Sequence, residues 1–238
     1  MRLIVTPDAE AAAHRAALEI AHACEAATEE RGRALIALSG GRSPWRMLEI
    51  LCTQPLPWSE VYVAQVDERI TPPDDARRNL TRLEALLVRE GPLPRDNLLP
   101  MPVEAAGLEG AARDYEAMLA AIGGPGFRLD LVQLGLGDDG HTASLVPGDP
   151  VLQVEEHDVA ITSEYQGTRR MTLTLPVLSR ARRRLWLVTG LDKAAVLDQL
   201  VEGSVDIPAN RVERRGALVV ADRAAAPRAS FRDDPLQV

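Results

Sequence analysis

Residues 129–149 read LDLVQLGLGDDGHTASLVPGD, and this stretch decides the fold and the site that the sequence predicts. The apolar run at residues 129–136 is typical of a strand that is buried on both faces. Glycines then surround two aspartates, and His141 follows the last glycine. We expect residues 142–144 to form the first turn of a helix, so that strand, loop and helix N-terminus make a place for a small anion. Because imidazole exchanges protons near neutral pH, His141 at that place indicates an enzyme site.

The rest of the chain alternates β-type and helical patterns. We predict strands at residues 2–5, 34–38, 61–66, 98–101, 129–136, 158–162, 171–175, 185–189 and 217–220, and helices at residues 9–30, 44–52, 77–89, 108–122 and 192–201. Several of these strands are apolar on both faces, which calls for a mostly parallel sheet with helices on both faces. No repeat, linker or composition change interrupts the pattern. The prediction is therefore an α/β fold in a single domain over residues 1–238.

Composition excludes several classes of function. The chain has 238 residues, is 46% hydrophobic and carries a formal net charge of −8. This acidic balance argues against nucleic acid or an anionic membrane as the main partner. No apolar run approaches the roughly 18 residues of a membrane span. Two cysteines are too few for a disulfide scaffold, so we expect a soluble cytoplasmic protein.

Polar and glycine-rich motifs follow four of the predicted strands. They begin after Leu38, Val66, Leu134 and Thr189. In open α/β sheets, ligands bind in the crevice outside the carboxyl ends of the strands. We therefore expect these four motifs to converge on one site.

The first motif, SGGRSP at residues 39–44, is suited to a phosphate or a sugar oxyanion. Gly40 and Gly41 let backbone N–H groups approach a ligand closely, and the helix that follows turns its positive end toward it. Ser39 and Ser43 add hydroxyl groups. The motif is not a P-loop, because no lysine follows the glycines. An ordinary strand-to-helix turn with a serine cap is the alternative interpretation.

The second motif supplies charge. Asp67, Glu68 and Arg69 stand where a strand ends, and Arg69 there can hold an anionic or carbonyl oxygen. Arg170 precedes another strand, and Lys193, the only lysine of the chain, lies in the first turn of a predicted helix. A cation at a helix N-terminus opposes the macrodipole, and a bound phosphate would explain it. Solvated surface charges are the alternative for all of these side chains.

His141 is the natural general base of such a site, since a helix beginning there would favour the neutral imidazole. The alternative is a histidine that caps a turn. The other histidines lack this setting. Because the carboxylates and histidines show no metal-ligand spacing, we expect no metal and no cofactor.

Six segments occur in an order that resembles a known family: SGGRSP, VDER followed by RN, LGLGDDGHTASLVPG, RRMTLTLPVL, VTGLDKAAVL and VVADRAAA. Together they are similar to the short, soluble 6-phosphogluconolactonases of the glucosamine-6-phosphate isomerase/6-phosphogluconolactonase family. The resemblance implies a Rossmann-like topology shared with glucosamine-6-phosphate deaminase. It also implies hydrolysis of 6-phospho-D-glucono-1,5-lactone, the second step of the oxidative pentose phosphate pathway. One departure is Arg78, which stands where the family usually has serine.

The resemblance also implies roles for individual residues. His141 would be the general base, Asp67 would orient the histidine or the substrate, and Arg69 would bind the lactone or its developing charge. The substrate-binding set that it implies comprises Ser39, Gly40, Gly41, Ser43, Asn79, Gly140, Arg170 and Lys193. Within that set, Arg170 and Lys193 would neutralise the phosphate.

Three competing functions stay open on the sequence. Glucosamine-6-phosphate deaminases share the fold, but they tend to have DEY and GHIAFNEP where this chain has DER and GHTASLVP. A non-catalytic sugar-phosphate sensor would keep the phosphate cradle without the base. A dinucleotide-binding oxidoreductase is disfavoured, because residues 39–44 lack the G-x-G-x-x-G spacing. The expected partner is the phosphorylated lactone, and the chain is expected to be a monomer or a small homo-oligomer.

Overall fold

A computed structural model of the protein describes residues 1–124 and 126–228. The strands of this part of the chain are β1 (Arg2–Thr6), β2 (Ala34–Leu38), β3 (Val61–Gln65), β4 (Asp67–Arg69), β5 (Leu98–Leu99), β6 (Leu131–Leu134), β7 (Val159–Ile161), β8 (Arg170–Leu173), β9 (Arg183–Val188) and β10 (Ala217–Asp222). Seven of them form one sheet in the order β1-β10-β9-β6-β2-β3-β5, and all neighbours pair in parallel. The predicted parallel sheet is confirmed.

Helices connect these strands. They are α1 (Ala9–Arg31), α2 (Arg42–Leu51), α3 (Asn79–Glu84), α4 (Leu108–Gly123), α5 (Leu175–Arg180) and α6 (Ala194–Glu202), and α3 continues into a π-helical turn over Ala85–Arg89. The side chain of Asp8 caps α1 by accepting the Ala11 N–H at 2.8 Å, and Gly32 ends it at φ +72°. No helix within the described residues is long and apolar enough to cross a membrane.

The main sheet is covered on both faces, as the apolar strands predict. Alternate residues of β2 belong to different hydrophobic clusters, because side chains alternate across a strand. Leu35 packs in a cluster with α4, α6 and the second sheet, whereas Ile36 packs in a cluster with α1 and α2. One sheet therefore carries two cores.

A second sheet was not distinguished by the sequence pattern. It is antiparallel, has the order β4-β8-β7, and pairs Arg69 with Arg170. The predicted strands at residues 158–162 and 171–175 thus lie outside the parallel sheet, and Leu175 begins α5. The loop that follows β6 contacts this sheet, because the Ser144 N–H donates to Thr172 Oγ1 at 3.2 Å. Arg69 and Arg170 of this sheet line the same crevice as the glycine loop.

The helix expected directly after His141 is absent, and that prediction is wrong. Thr142 and Leu145 instead pair in an isolated antiparallel bridge, with Ala143 between them at φ +53°. This left-handed backbone interrupts a helix. The hydroxyl groups serve the turn as well, since Thr142 Oγ1 donates to the Gly135 carbonyl at 2.9 Å.

The order of the strands leaves one crevice at the carboxyl edge of the main sheet. The chain runs from β2 outward to β3 and β5, and then returns to β6 on the other side of β2. The loops after β2 and β6 therefore diverge, which is the topological switch point where α/β sheets bind ligands.

Candidate active site

A crevice of about 690 Å³ lies at this edge. The four strand-end motifs converge there, as expected from the topology. The predicted site residues that line it are Ser39, Gly40, Gly41, Ser43, Asp67, Arg69, Asn79, His141, Arg170 and Lys193.

His141 is held by a carboxylate two residues earlier in the chain. Its Nδ1 lies 2.5 Å from Asp139 Oδ1, and its backbone N–H donates to the same oxygen at 3.1 Å. When the imidazole is neutral, this contact holds the proton on Nδ1 and leaves Nε2 to accept one. Burial alone would raise the pKa of Asp139, but the hydrogen bonds and charge of His141 outweigh it and lower that pKa. The pair is therefore a carboxylate and a base-competent imidazole.

The glycines of the loop leave room for this pair. A Cβ on Gly137 would lie 2.0 Å from His141 Nδ1, so the imidazole occupies space that only glycine leaves open. The Gly137 N–H also donates to the His141 carbonyl at 2.8 Å, which closes the loop. The glycine spacing thus sets the position of the base.

Gly140 is not among the residues that line the crevice, and its contact with the substrate stays a prediction. It adopts φ +79°, and a Cβ there would lie 2.3 Å from the side chain of Ile207. Its carbonyl accepts the Ala209 N–H at 3.0 Å. Gly140 therefore shapes the turn and packs against the segment behind it.

Asp67 has different partners from those expected. Its Oδ2 accepts the Ser144 hydroxyl at 2.6 Å, and Asp139 occupies the place beside His141. The carboxylate in contact with His141 is therefore that of Asp139, and the role of Asp67 toward the histidine or the substrate stays a prediction. Ser144 is almost fully buried, so it ties the loop after β6 to the second sheet.

Two arginines stand side by side at the crevice wall. Arg69 donates from Nη1 to Asn79 Oδ1 at 2.6 Å and to the Arg77 carbonyl at 2.7 Å. Arg170 lies over the Tyr165 ring, with its guanidinium carbon 5.0 Å from the ring centroid. Burial lowers the pKa of Arg170, and Arg69 also lowers it while Asp67 acts in the opposite direction. Because the guanidinium groups of Arg69 and Arg170 both line the crevice, the positive charge of this wall favours an incoming anion.

The SGGRSP motif and Lys193 also line the crevice. Gly41, at φ +125°, directly precedes α2, so the first N–H groups of that helix open toward the crevice. The Ser43 hydroxyl lies 2.6 Å from that of Thr189. Ser39 donates to Gln133 at 2.9 Å and is almost fully buried. Lys193 Nζ pairs with Asp138 at 2.5 Å.

Sequence reasoning gave no role to three residues of this site. Asp139 was visible as an acidic residue two positions before the histidine, and that spacing is the signal that would have found it. Tyr165 donates to Asp139 Oδ2 at 2.9 Å, and its ring lies 5.6 Å from that of His141. Tyr165 and Gln166 line the crevice from the loop between β7 and β8. Nothing in their local sequence pointed to them, because the loop reaches the site only through the second sheet.

The site joins an imidazole–carboxylate pair, three cationic side chains and a helix N-terminus in one crevice. Within the described residues, no group of three or more histidine, cysteine, aspartate or glutamate side chains is placed to hold a metal ion. This arrangement is that of an α/β enzyme that acts on a small anionic substrate.

Comparison with known proteins places the chain in a family. The model of the family described as glucosamine-6-phosphate isomerases/6-phosphogluconolactonase matches residues 7–220. The chain belongs to this family. It is 38% identical to a 6-phosphogluconolactonase of Synechocystis over 81% of its length and 83% of the relative. It is 35% identical to that of Mycobacterium tuberculosis over 93% and 96%.

A solved structure extends the comparison to the deaminase branch. A monomeric glucosamine-6-phosphate deaminase matches with a TM-score of 0.82 at 20% identity, over 94% of this chain and 98% of that one. This likeness concerns the fold alone. The topology shared with the deaminase, expected from the resemblance, is confirmed.

Proposed function

We propose that this chain hydrolyses 6-phospho-D-glucono-1,5-lactone to 6-phospho-D-gluconate in the oxidative pentose phosphate pathway. The curated relatives named as 6-phosphogluconolactonases support it. The observation that carries it is the His141–Asp139 pair, which lies in the same crevice as Arg69, Arg170 and Lys193. A base beside cations is what hydrolysis of an anionic lactone requires.

The proposed reaction begins with proton transfer. Nε2 of His141 takes a proton from water while the oxygen of that water bonds to C1 of the lactone, and the carbonyl electrons move onto its oxygen. Arg69 stabilises this oxyanion. When the carbonyl re-forms, the bond from C1 to the ring oxygen breaks, and the imidazolium gives its proton to that oxygen. Asp139 stabilises the imidazolium between the two transfers.

The phosphate is held at the cationic walls. Lys193 exchanges the Asp138 carboxylate for the phosphate, and the Arg170 guanidinium in the same crevice supplies a second positive charge. Amides of Gly40 and Gly41 and the Ser43 hydroxyl complete the cradle.

The two rival functions on this fold are less well supported. The DER and GHTASLVP segments differ from the deaminase pattern. A sensor that binds the sugar phosphate without catalysis does not need an imidazole held 2.5 Å from a carboxylate.

The test measures acid release from freshly generated lactone at low pH, where spontaneous opening is slow. Removing a general base typically costs ~10²–10⁴-fold, so H141A is expected to lose that much in kcat. Full turnover by H141A would refute the base assignment. Ammonia release from glucosamine 6-phosphate, or binding of the sugar phosphate without turnover, would refute the proposed function.

The proposal also includes the domain organisation, the oligomeric state and the compartment of the enzyme. Residues 1–238 act as a single domain, as a monomer or a small homo-oligomer, in the cytoplasm. Support for the domain comes from the central sheet that both hydrophobic clusters share. Support for the compartment comes from Cys24 and Cys52, which are both free thiols.

A further inference from the structure

Glu68 is a fully buried carboxylate to which the proposed mechanism gives no task. It accepts the backbone N–H groups of Asn79 at 2.8 Å and of Leu80 at 2.7 Å, one on each oxygen. These are the first two residues of α3. A carboxylate from a strand more than ten positions earlier therefore fixes where this helix begins.

The same carboxylate is bonded on its other sides. It accepts the Arg69 N–H at 2.8 Å and Gln65 Nε2 at 2.9 Å, and Arg78 Nε lies 3.5 Å away. Burying a carboxylate is costly unless it is fully hydrogen-bonded. Each of these donors therefore helps to fix the position of the Glu68 carboxylate. The buried Arg78, whose role the sequence left open, is explained as the counter-charge of Glu68.

The residue that Glu68 places, Asn79, contacts three parts of the site. Its Oδ1 accepts Arg69 Nη1 at 2.6 Å, and its Nδ2 donates to the Asp67 carbonyl at 3.0 Å. A Cβ on Gly40 would lie 1.9 Å from Asn79 Oδ1, so the amide also fills the space beside the glycine motif. Both ends of the amide are thus occupied by protein groups.

We propose that Glu68 and Asn79 are positioning residues for Arg69. Glu68 sets the start of α3, α3 carries Asn79, and the Asn79 amide holds the guanidinium in the crevice. The inference rests on the proposed lactone hydrolysis, and it reassigns Asn79 from substrate binding to positioning. A misplacement of about 1 Å can cost ~10²-fold in rate, so the effect is large enough to measure.

The test compares E68Q with D130N. Asp130 is also buried, accepts the Leu35 N–H at 2.8 Å and pairs with Arg31 and Arg182, but it lies at the opposite edge of the sheet. Both variants are expected to lose thermal stability. At a temperature where both are folded, E68Q is expected to lose at least ~10-fold in kcat with little change in KM, and D130N is expected to keep its kcat.

A second variant keeps the proposal falsifiable if E68Q does not fold. N79A leaves the backbone contacts of Glu68 in place, and it is expected to lower kcat rather than raise KM. The double variant is expected to be no slower than the slower single variant, because both changes release the same guanidinium. Independent, multiplying losses would overturn the proposal, as would an E68Q enzyme within twofold of wild type or an N79A enzyme that only raises KM.

One readout does not depend on turnover. In crystals of E68Q, the contact between Arg69 and Asn79 is expected to be lost, and in D130N it is expected to remain. A contact that persists in E68Q would overturn the positioning proposal. Failure of the wild-type protein to open the lactone would instead overturn the proposed function, and the crystallographic result would still decide the positioning.

Discussion

Replacing Asp139 by asparagine tests how the proposed base is held. The wild-type carboxylate accepts two hydrogen bonds from His141, and its lowered pKa lies below the ordinary value of 3.8. Asp139 is therefore ionised at neutral pH. Its stabilising contribution is present above pH 3.8 and is lost only as the pH falls through the still lower folded value. The substitution removes this charge and leaves the shape almost unchanged.

The size of the effect follows from the geometry. A hydrogen bond to a charged group contributes about 1.5–3 kcal/mol, and each 1.36 kcal/mol is tenfold in rate. The imidazole is 23% exposed and the carboxylate 34%, so solvent screening favours the lower part of this range. We expect D139N to lose about 10- to 50-fold in kcat, because the charge acts mainly when the imidazole holds the transferred proton.

The assay is acid release from the lactone under saturating conditions, with D138N as the matched control. Asp138 is the neighbouring carboxylate, is 79% exposed and pairs with Lys193 instead of the base. We expect D138N to stay within about threefold of the wild-type kcat, since exposed ion pairs contribute little. Equal losses in the two variants, or a D139N enzyme with wild-type kcat, would refute the reasoning.

Three further outcomes are expected. K193A should raise KM for the lactone about tenfold, which is the lower end for loss of a hydrogen bond to a charged group, and should change kcat less. Steady-state kinetics in which kcat falls and KM stays unchanged would contradict a role of Lys193 in phosphate binding. G137A should lose most of the activity, because the added Cβ would lie 2.0 Å from Nδ1 of His141, the proposed base. G135A should keep the activity, because no atom lies within 4 Å of the added Cβ. Equal activities of the two variants would contradict the close packing of Gly137 against His141. Burial raises the pKa of the Cys24 thiol to about 12 and that of Cys52 to about 11. Both thiols stay protonated below those values, so they should react slowly with a thiol reagent at pH 8 until the protein is unfolded. Fast labelling of the native protein would contradict the burial of Cys24 and the partial burial of Cys52.

The sheet and its glycine loops were predictable because their causes are local. Strands that are apolar on both faces require cover on both faces, and parallel strands place their following loops at one edge. SGGRSP and GDDGH were therefore expected at the same edge of the sheet, and the pairing of β6 with β2 brings them together.

The helix expected after His141 shows where local reasoning fails. Residues 142–144 contain no proline or glycine, and nothing in their composition forbids a helical turn. Their hydroxyl groups are used elsewhere: Thr142 bonds to Gly135, and Ser144 bonds to Asp67, which is 77 positions away. Asp67, the hydrogen-bond partner of Ser144, belongs to the second sheet, so the sequence around residue 144 does not indicate this bond.

The sequence by itself determined a parallel α/β sheet, a glycine loop that delivers one histidine, and a set of cations at the strand ends. Only the tertiary structure decided which charged and polar side chains contact one another. It assigned Ser144 to Asp67, paired Arg69 with Arg170 across two antiparallel strands, and buried Glu68 under the start of α3. The physical reason is that strand and loop conformations follow from neighbours along the chain. The partners of a buried charge follow from the packing of distant segments, which must satisfy that charge wherever they meet it.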